Sequence, residues 1–245
     1  MILKNYMILL IMNDYFNRYL NLKKMYSQLK KDDSNQTSGA IYIDENTLKR
    51  YSGSGILLFE LYNNKPTIIL FKSSERDVYE DLGGGLDYDD LIMKNPLKSA
   101  AIREAFEESR GLINITDPKY IKYCVDGNFG SKHYRSYLLR INSESLIDNY
   151  YNNKKIIDNN KKIKHTMKET TDISRFYIDD LIKDGILKSA TGLNFTTFDT
   201  NKKSKKIYTR TVDIIKLAIK DNIIKNVIDN PIDFVELKTF IPSSK

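Results

Sequence analysis

The chain contains a single cysteine, Cys124, in 245 residues. No intrachain disulfide can form, and a reducing, intracellular and cytoplasmic setting is expected. Histidine is nearly as scarce. With only His133 and His165, a Cys/His zinc site has too few ligands, and all three residues are expected as ordinary core, loop or strand positions. Long apolar runs are also missing. The opening stretch is apolar from Met7 to Met12, far short of the roughly 20 residues that cross a bilayer, and no small-residue cleavage pattern follows. Neither a membrane span nor secretion is expected.

Hydrophobic residues make up 41% of the chain, enough for the core of one domain with additions. The formal charge of +7 suits anionic partners such as nucleotides, RNA or inositol phosphates. A Lys- and Asn-heavy composition also fits an A/T-rich genome, so charge alone selects no partner. The run Lys202-Lys203-Ser204-Lys205-Lys206 reads first as a solvated loop and second as a contact for RNA or polyphosphate.

Residues 1–39 read as a helical N-terminal extension ending in a polar linker, with Tyr15, Tyr19, Leu20, Leu22 and Tyr26 spaced through it. Residues 40–222 carry the domain. Strands are expected at Ala40 to Ile43, Gly55 to Phe59 and Thr67 to Phe71, the last two joined into a hairpin by a turn at Asn63-Asn64-Lys65-Pro66. An extended piece from Val78 to Leu82 runs into Gly83-Gly84-Gly85, read as a turn with positive φ and close backbone approach to a ligand. Tyr120 to Val125 and Tyr134 to Ile141 read as paired strands, with Asp126-Gly127-Asn128 as turn chemistry between them. Residues 143–168 form a Lys/Asn-rich insertion, partly helical or loop, anchored by Ile156 and Ile157. A strand at Ile173 to Ile178, a short helix from Asp179 and a longer one over Tyr208 to Ile219 follow, and 223–245 read as a tail.

The most informative stretch is the helix after the glycines. Asn95 and Pro96 suit its first positions, and Gly111 in a left-handed conformation would end it after Arg110. Leu97, Ala101, Ile102, Ala105 and Phe106 form an apolar stripe. Glu104, Glu107 and Glu108 converge on one edge, where their repulsion is best relieved by a hard cation such as Mg²⁺, which prefers oxygen ligands and keeps waters that phosphate oxygens can replace. Arg-Glu-x-x-Glu-Glu by itself is commonly a solvated face. Here a triple glycine precedes it, an Ala-Ala pair leads in and Gly-Leu closes it.

This constellation resembles the Nudix hydrolase family, whose box runs G-x5-E-x7-R-E-U-x-E-E-x-G-U with U a bulky apolar residue. Arg103-Glu104-Ala105-Phe106-Glu107-Glu108 matches it position by position. Two features depart from it. Gly85 lies four residues farther from Arg103 than the pattern has it, with Asp87, Asp89 and Asp90 but no glutamate in the interval, and Ser109-Arg110 stand before Gly111 where the pattern has one residue.

The resemblance implies an α/β fold, a Nudix-like α/β/α sandwich with a mixed sheet. It also implies Mg²⁺, or alternatively Mn²⁺, on Glu104, Glu107 and Glu108, with Arg103 orienting a glutamate of its own helix, for which the four-residue spacing favours Glu107. The implied reaction is attack of water on a nucleoside diphosphate linked to another group. Glu104, Glu169 and Asp172 are alternative bases. Gly84 and Gly85 would offer N–H groups to phosphate, and Asp87 or Asp90 would stand in for the missing glutamate. The competing expectation is a Nudix-like module that binds a nucleotide or RNA end without hydrolysing it; mRNA decapping and diphosphoinositol hydrolysis are enzymatic variants.

Overall fold

The computed structural model describes residues 40–129, 131–141, 145–229 and 236–237. The helical extension expected over 1–39 lies outside them. Among the described residues, strands β1 (Tyr42–Ile43), β2 (Arg50–Tyr62), β3 (Lys65–Ser73), β4 (Tyr79–Glu80), β5 (Leu82–Gly85), β6 (Ile113–Asn114), β7 (Tyr123–Phe129), β8 (Lys132–Arg140), β9 (Thr170–Tyr177), β10 (Phe195–Phe198) and β11 (Ser204–Ile207) are interleaved with helices. All but β6 join one mixed sheet. β2 runs parallel to β8 and β11 parallel to β4, while the other pairs are antiparallel.

The core follows from β2. Its run Ile56-Leu57-Leu58-Phe59 is fully buried, as expected of a central strand covered on both faces. Because successive side chains point to opposite faces, Ile56 and Leu58 pack with Leu97, Ala101 and Ala105 of the Pro96–Glu108 helix, whereas Leu57 and Phe59 pack with Val212 and Ile215 of the Thr209–Lys220 helix. The result is the α/β/α layering expected. None of the described helices is long and apolar enough to cross a membrane.

The hairpin turn between β2 and β3 is Asn63-Asn64 alone, with both φ angles positive (51° and 57°). Such a two-residue turn needs left-handed residues at both positions, and asparagine accepts them at low cost. Beyond this turn the paired strands separate. β3 pairs with β4 and β2 with β5, so Tyr79–Gly85 changes ladder at Asp81.

Two expectations are corrected. Asp126-Gly127-Asn128 is not a turn but lies in the β7–β8 ladder opposite Arg135, Tyr134 and His133. The Asp126 carboxylate accepts from Arg135 Nε (2.7 Å), the Tyr51 hydroxyl (2.7 Å) and Lys49 Nζ (3.2 Å). These partners outweigh its local turn preference. Residues 118–120 form a 3₁₀ turn rather than the start of a strand, with Asp117 accepting from the Lys119 amide (2.9 Å). Within the insertion, the Leu146–Asp158 helix buries Leu146, Tyr150, Asn153 and Ile157, while Ile156 faces outward. Beyond 222, the Ile223–Asp229 helix packs Ile224 and Val227 into the core, and β12 (Glu236–Leu237) pairs with β6.

Candidate active site

The glutamate helix runs from Pro96 to Glu108. It stops two residues earlier than expected because Arg110 (φ 61°) and Gly111 (φ 74°) both turn left-handed. The Gly111 amide closes the end on the Phe106 carbonyl (2.7 Å). Glu104 and Glu108, one helical turn apart, point inward against β5 and are over 90% buried.

The glycines serve that approach. None of Gly83, Gly84 and Gly85 has a positive φ; they lie in β5, opposite Gly55, Ser54 and Gly53. The expected glycine turn is therefore an extended strand. A Cβ on Gly84 would stand 2.6 Å from Glu104 Oε1, so any side chain there would displace the carboxylate. The Gly83 amide donates to Glu108 Oε2 (2.5 Å). The Gly85 carbonyl accepts from Arg103 Nη2 (3.0 Å). Two polar neighbours of β5 are thus side chains of the glutamate helix.

Arg103 ties three elements together. Nη1 donates to Glu104 Oε1 (2.8 Å) and Glu107 Oε2 (3.4 Å), and Nη2 to Asp90 Oδ2 (2.9 Å). Asp87 lies 3.6 Å from Nε. Burial disfavours the charge of Arg103, but Asp90 and Glu104 hold its pKa above the ordinary value. The nearer glutamate is Glu104 rather than the expected Glu107. Asp90, on the short Tyr88–Leu91 helix inside the lengthened loop, is the carboxylate that anchors the guanidinium.

The electrostatics are those of crowded, dehydrated carboxylates. Burial raises the Glu104 pKa from 4.5 to about 7; Arg103 opposes the shift, and Glu107 and Glu169 add to it. Burial likewise pushes Glu108 well above its ordinary value, reinforced by Glu104 and Glu80 against Arg210 and the Gly83 amide. Glu169, half-buried at the start of β9, is raised by burial and then by Glu75, with Glu107 contributing. Asp172 behaves in the opposite way. Burial would raise it, but hydrogen bonds from Tyr151, Tyr79, the Ile173 amide and Lys205 hold it at about 2. A carboxylate so stabilised is a poor proton acceptor, so of the two later candidates Glu169 alone suits a base.

Several participants were not found from sequence. Glu80 is buried, raised by burial despite Arg210 and Arg76, and repels Glu108. Beside it, Asp81 accepts from Thr211 Oγ1 (2.8 Å), Tyr134 Oη (3.2 Å), Ser136 Oγ (3.2 Å) and Arg210 Nη2 (3.2 Å). Arg210 Nη2 also reaches the Gly83 carbonyl (3.3 Å), and its guanidinium lies 4.2 Å from the centre of the Tyr134 ring. Glu80-Asp81, separated from three glycines by Leu82 alone, is the available signal. Arg210 sat inside an apolar helical stripe and gave none. The Lys202–Lys206 run belongs to the β10–β11 hairpin, where Lys202 pairs with Asp180 (3.3 Å) and Lys205 with Asp172 (3.2 Å).

No group of three or more His, Cys, Asp or Glu side chains among the described residues is arranged to hold a metal ion as it stands. The donors nonetheless fit Mg²⁺. That ion commonly uses one or two protein carboxylates, with waters and substrate phosphates completing its shell. Glu104 and Glu108 supply such a pair, and their suppressed ionisation is what a nearby divalent charge would relieve.

No family model matches the chain, and no curated protein matches its sequence. Its fold is similar to solved Nudix structures. The Nudix domain of Shewanella oneidensis NrtR, complexed with ADP ribose, is 13% identical over 73% of this chain and 93% of that chain, with a TM-score of 0.41. The C. elegans Ap4A hydrolase binary complex is 18% identical over 54% of this chain and 83% of that chain, with a TM-score of 0.35. Shewanella oneidensis NrtR complexed with a 27mer DNA is 13% identical over 70% and 61% of the two chains, with a TM-score of 0.36. The reading of the site rests on the residues described above.

Proposed function

We propose that this chain is a Mg²⁺-dependent Nudix-type pyrophosphohydrolase that cleaves the diphosphate linkage of a nucleoside diphosphate joined to another group, with Mn²⁺ as an alternative ion. One observation carries the reading. Glu104 and Glu108 are buried together with raised pKa values, against a strand whose glycines leave them no intervening side chain.

Glu104 and Glu108 would hold the ion, with Glu107 at the rim of the same helix. Bound there, Mg²⁺ supplies charge neutralisation for the diphosphate and lowers the pKa of a water. Arg103 fixes the Glu104 carboxylate through its 2.8 Å hydrogen bond and is itself held by Asp90. An oriented carboxylate cannot rotate away from its ligand. The Gly83 amide does the same for Glu108. Glu169, whose raised pKa makes it a better proton acceptor than an ordinary glutamate, accepts the proton of the attacking water; Glu104 is the alternative.

The test is a panel of nucleotide sugars, dinucleoside polyphosphates, capped RNA, deoxynucleotides and diphosphoinositols in Mg²⁺ and Mn²⁺. At least one member should yield two phosphate-bearing products, and Glu108→Gln should lower its turnover by at least about 100-fold, since removing a ligand costs no less than disturbing its support. Metal-dependent turnover unchanged in that variant overturns the assignment. The four extra residues between Gly85 and Arg103, with no glutamate among them, favour one second reading, a module that binds a nucleotide or RNA end without hydrolysis. Tight binding with no turnover across the panel selects it.

A further inference from the structure

The residue that departs from the Nudix pattern after Glu108 is among the most deeply buried charges in the described chain. Arg110 is 1% exposed and left-handed. That conformation is unfavourable for a residue with a Cβ, and a buried guanidinium is costly unless it is paired. Its partners come from two other elements. Nη1 bonds Asp158 Oδ1 (2.6 Å) at the end of the Leu146–Asp158 helix, and Nη2 donates to the Thr170 carbonyl. The Arg110 carbonyl accepts from Asn153 Nδ2 (3.1 Å), and the guanidinium lies 5.9 Å from the Tyr150 ring centre.

Thr170 completes the connection. Its hydroxyl donates to the Glu108 carbonyl (2.6 Å), one of the orphan acceptors at a helix end, while accepting from the Tyr150 hydroxyl (2.9 Å). Thr170 directly follows Glu169, whose own carbonyl accepts from the Ser74 amide (2.8 Å). The backbone carrying one candidate base is therefore hydrogen-bonded to the residue carrying a candidate metal ligand. Valine would fill the same space as Thr170 without either hydroxyl bond, and an apolar residue would fill that of Arg110 without a buried charge. Packing alone explains neither choice.

We propose that Arg110 and Thr170 are positioning residues that bolt the Glu169 turn to the end of the glutamate helix and so set where the Glu169 carboxylate stands relative to Glu104 and Glu108. The proposal rests on the reading of that helix as the reaction centre. It assigns the Lys/Asn-rich insertion a task, since its helix contributes Asp158, Tyr150 and Asn153 to the bolt.

The test uses the full chain with Thr170→Val, Thr170→Ser and Arg110→Lys, a substrate that the wild type turns over in Mg²⁺, and amide hydrogen exchange over residues 165–170. Thr170→Val should lower kcat by about 10- to 100-fold with KM changed less than about twofold, the penalty of misplacing a reacting group by about an ångström. Thr170→Ser, which keeps the hydroxyl, should recover most of the loss, and Arg110→Lys, which cannot form the two-armed contact, should not match the wild type. Glu169→Gln should cost much less in the Thr170→Val background than in the wild type, since both changes remove one function. Exchange over 165–170 should quicken in Thr170→Val and not in Thr170→Ser. Unchanged kcat and unchanged exchange in Thr170→Val overturn the proposal, as do losses that add fully with Glu169→Gln. If no substrate is turned over, the exchange comparison still decides the bolt: quickened exchange then leaves it standing while the hydrolase reading fails.

Discussion

Raising the pH should destabilise the metal-free protein, and Glu104 should be a principal cause. Its pKa is about 7 in the folded chain against an ordinary 4.5, so between these values the folded state holds a proton that the unfolded state has lost. Stability must then fall as pH rises through that window. A separation of about 2.5 units corresponds to about 3 kcal/mol in full, of which about 2 kcal/mol falls between pH 5 and pH 7.5. For a domain of this size that lowers Tm by roughly 4–8 °C. Burial of Glu108 acts in the same direction, whereas Asp126 and Asp172, held at about 2, stay ionised throughout and contribute no slope. The assay is thermal unfolding in chelator at about pH 5 and pH 7.5 for the wild type and Glu104→Gln, followed by repetition with Mg²⁺. The wild type should lose several degrees more than the variant over this interval. Saturating Mg²⁺, at a hundredfold excess over its Kd, should return about 3 kcal/mol near neutral pH. Equal pH slopes for the two proteins in chelator would refute the buried, protonated Glu104 on which the proposed metal site rests.

Gly84→Ala places a methyl group 2.6 Å from Glu104 Oε1; it should cost about 1–3 kcal/mol and remove most of the Mg²⁺-induced rise in Tm, read by the same melts. Asp126→Asn should destabilise by about 1–2 kcal/mol near pH 7, and because the folded pKa is depressed from 3.8 to about 2, the difference from wild type should vanish as pH falls through that range in acid unfolding. The buried Arg175–Glu60 pair lies on the sheet away from the glutamate helix; Arg175→Ala should cost about 3–5 kcal/mol by leaving Glu60 uncompensated, with kcat of the folded fraction unchanged in active-site-normalised assays.

What could be read in advance was whatever is encoded locally. The Arg103–Glu108 spacing and the Asn63-Asn64 turn depend on residues within a few positions, and both appear where expected apart from the turn's shorter length. The reading of Asp126-Gly127-Asn128 failed because its deciding partners, Tyr51, Lys49 and Arg135, come from other strands. The triple glycine needs no positive φ; Gly84 instead leaves room for the Glu104 carboxylate. A strand glycine made necessary by a carboxylate on a distant helix looks the same in sequence as one made necessary by its own φ. Glu80, Asp81, Arg210 and Arg110 stayed hidden likewise, since pairing across long separations leaves no periodic trace.

The change of ladder at Asp81 limits where this chain can accept extra length. Between Tyr79 and Gly85 the strand is registered against β3 on one side of the change and β2 on the other, and a single inserted residue would turn every following side chain to the opposite face. Inserted ahead of Leu82, it would put Leu82 in the place of Gly83, where a Cβ would collide with the Tyr134 hydroxyl. Additional residues are tolerable only after Leu86, whose amide still donates to the Ser52 carbonyl (3.3 Å); beyond it a short helix can absorb them. The four residues in excess of the Nudix pattern lie there, and the same helix supplies Asp90 to Arg103, so the insertion lengthened the loop without shifting the carboxylates it adjoins.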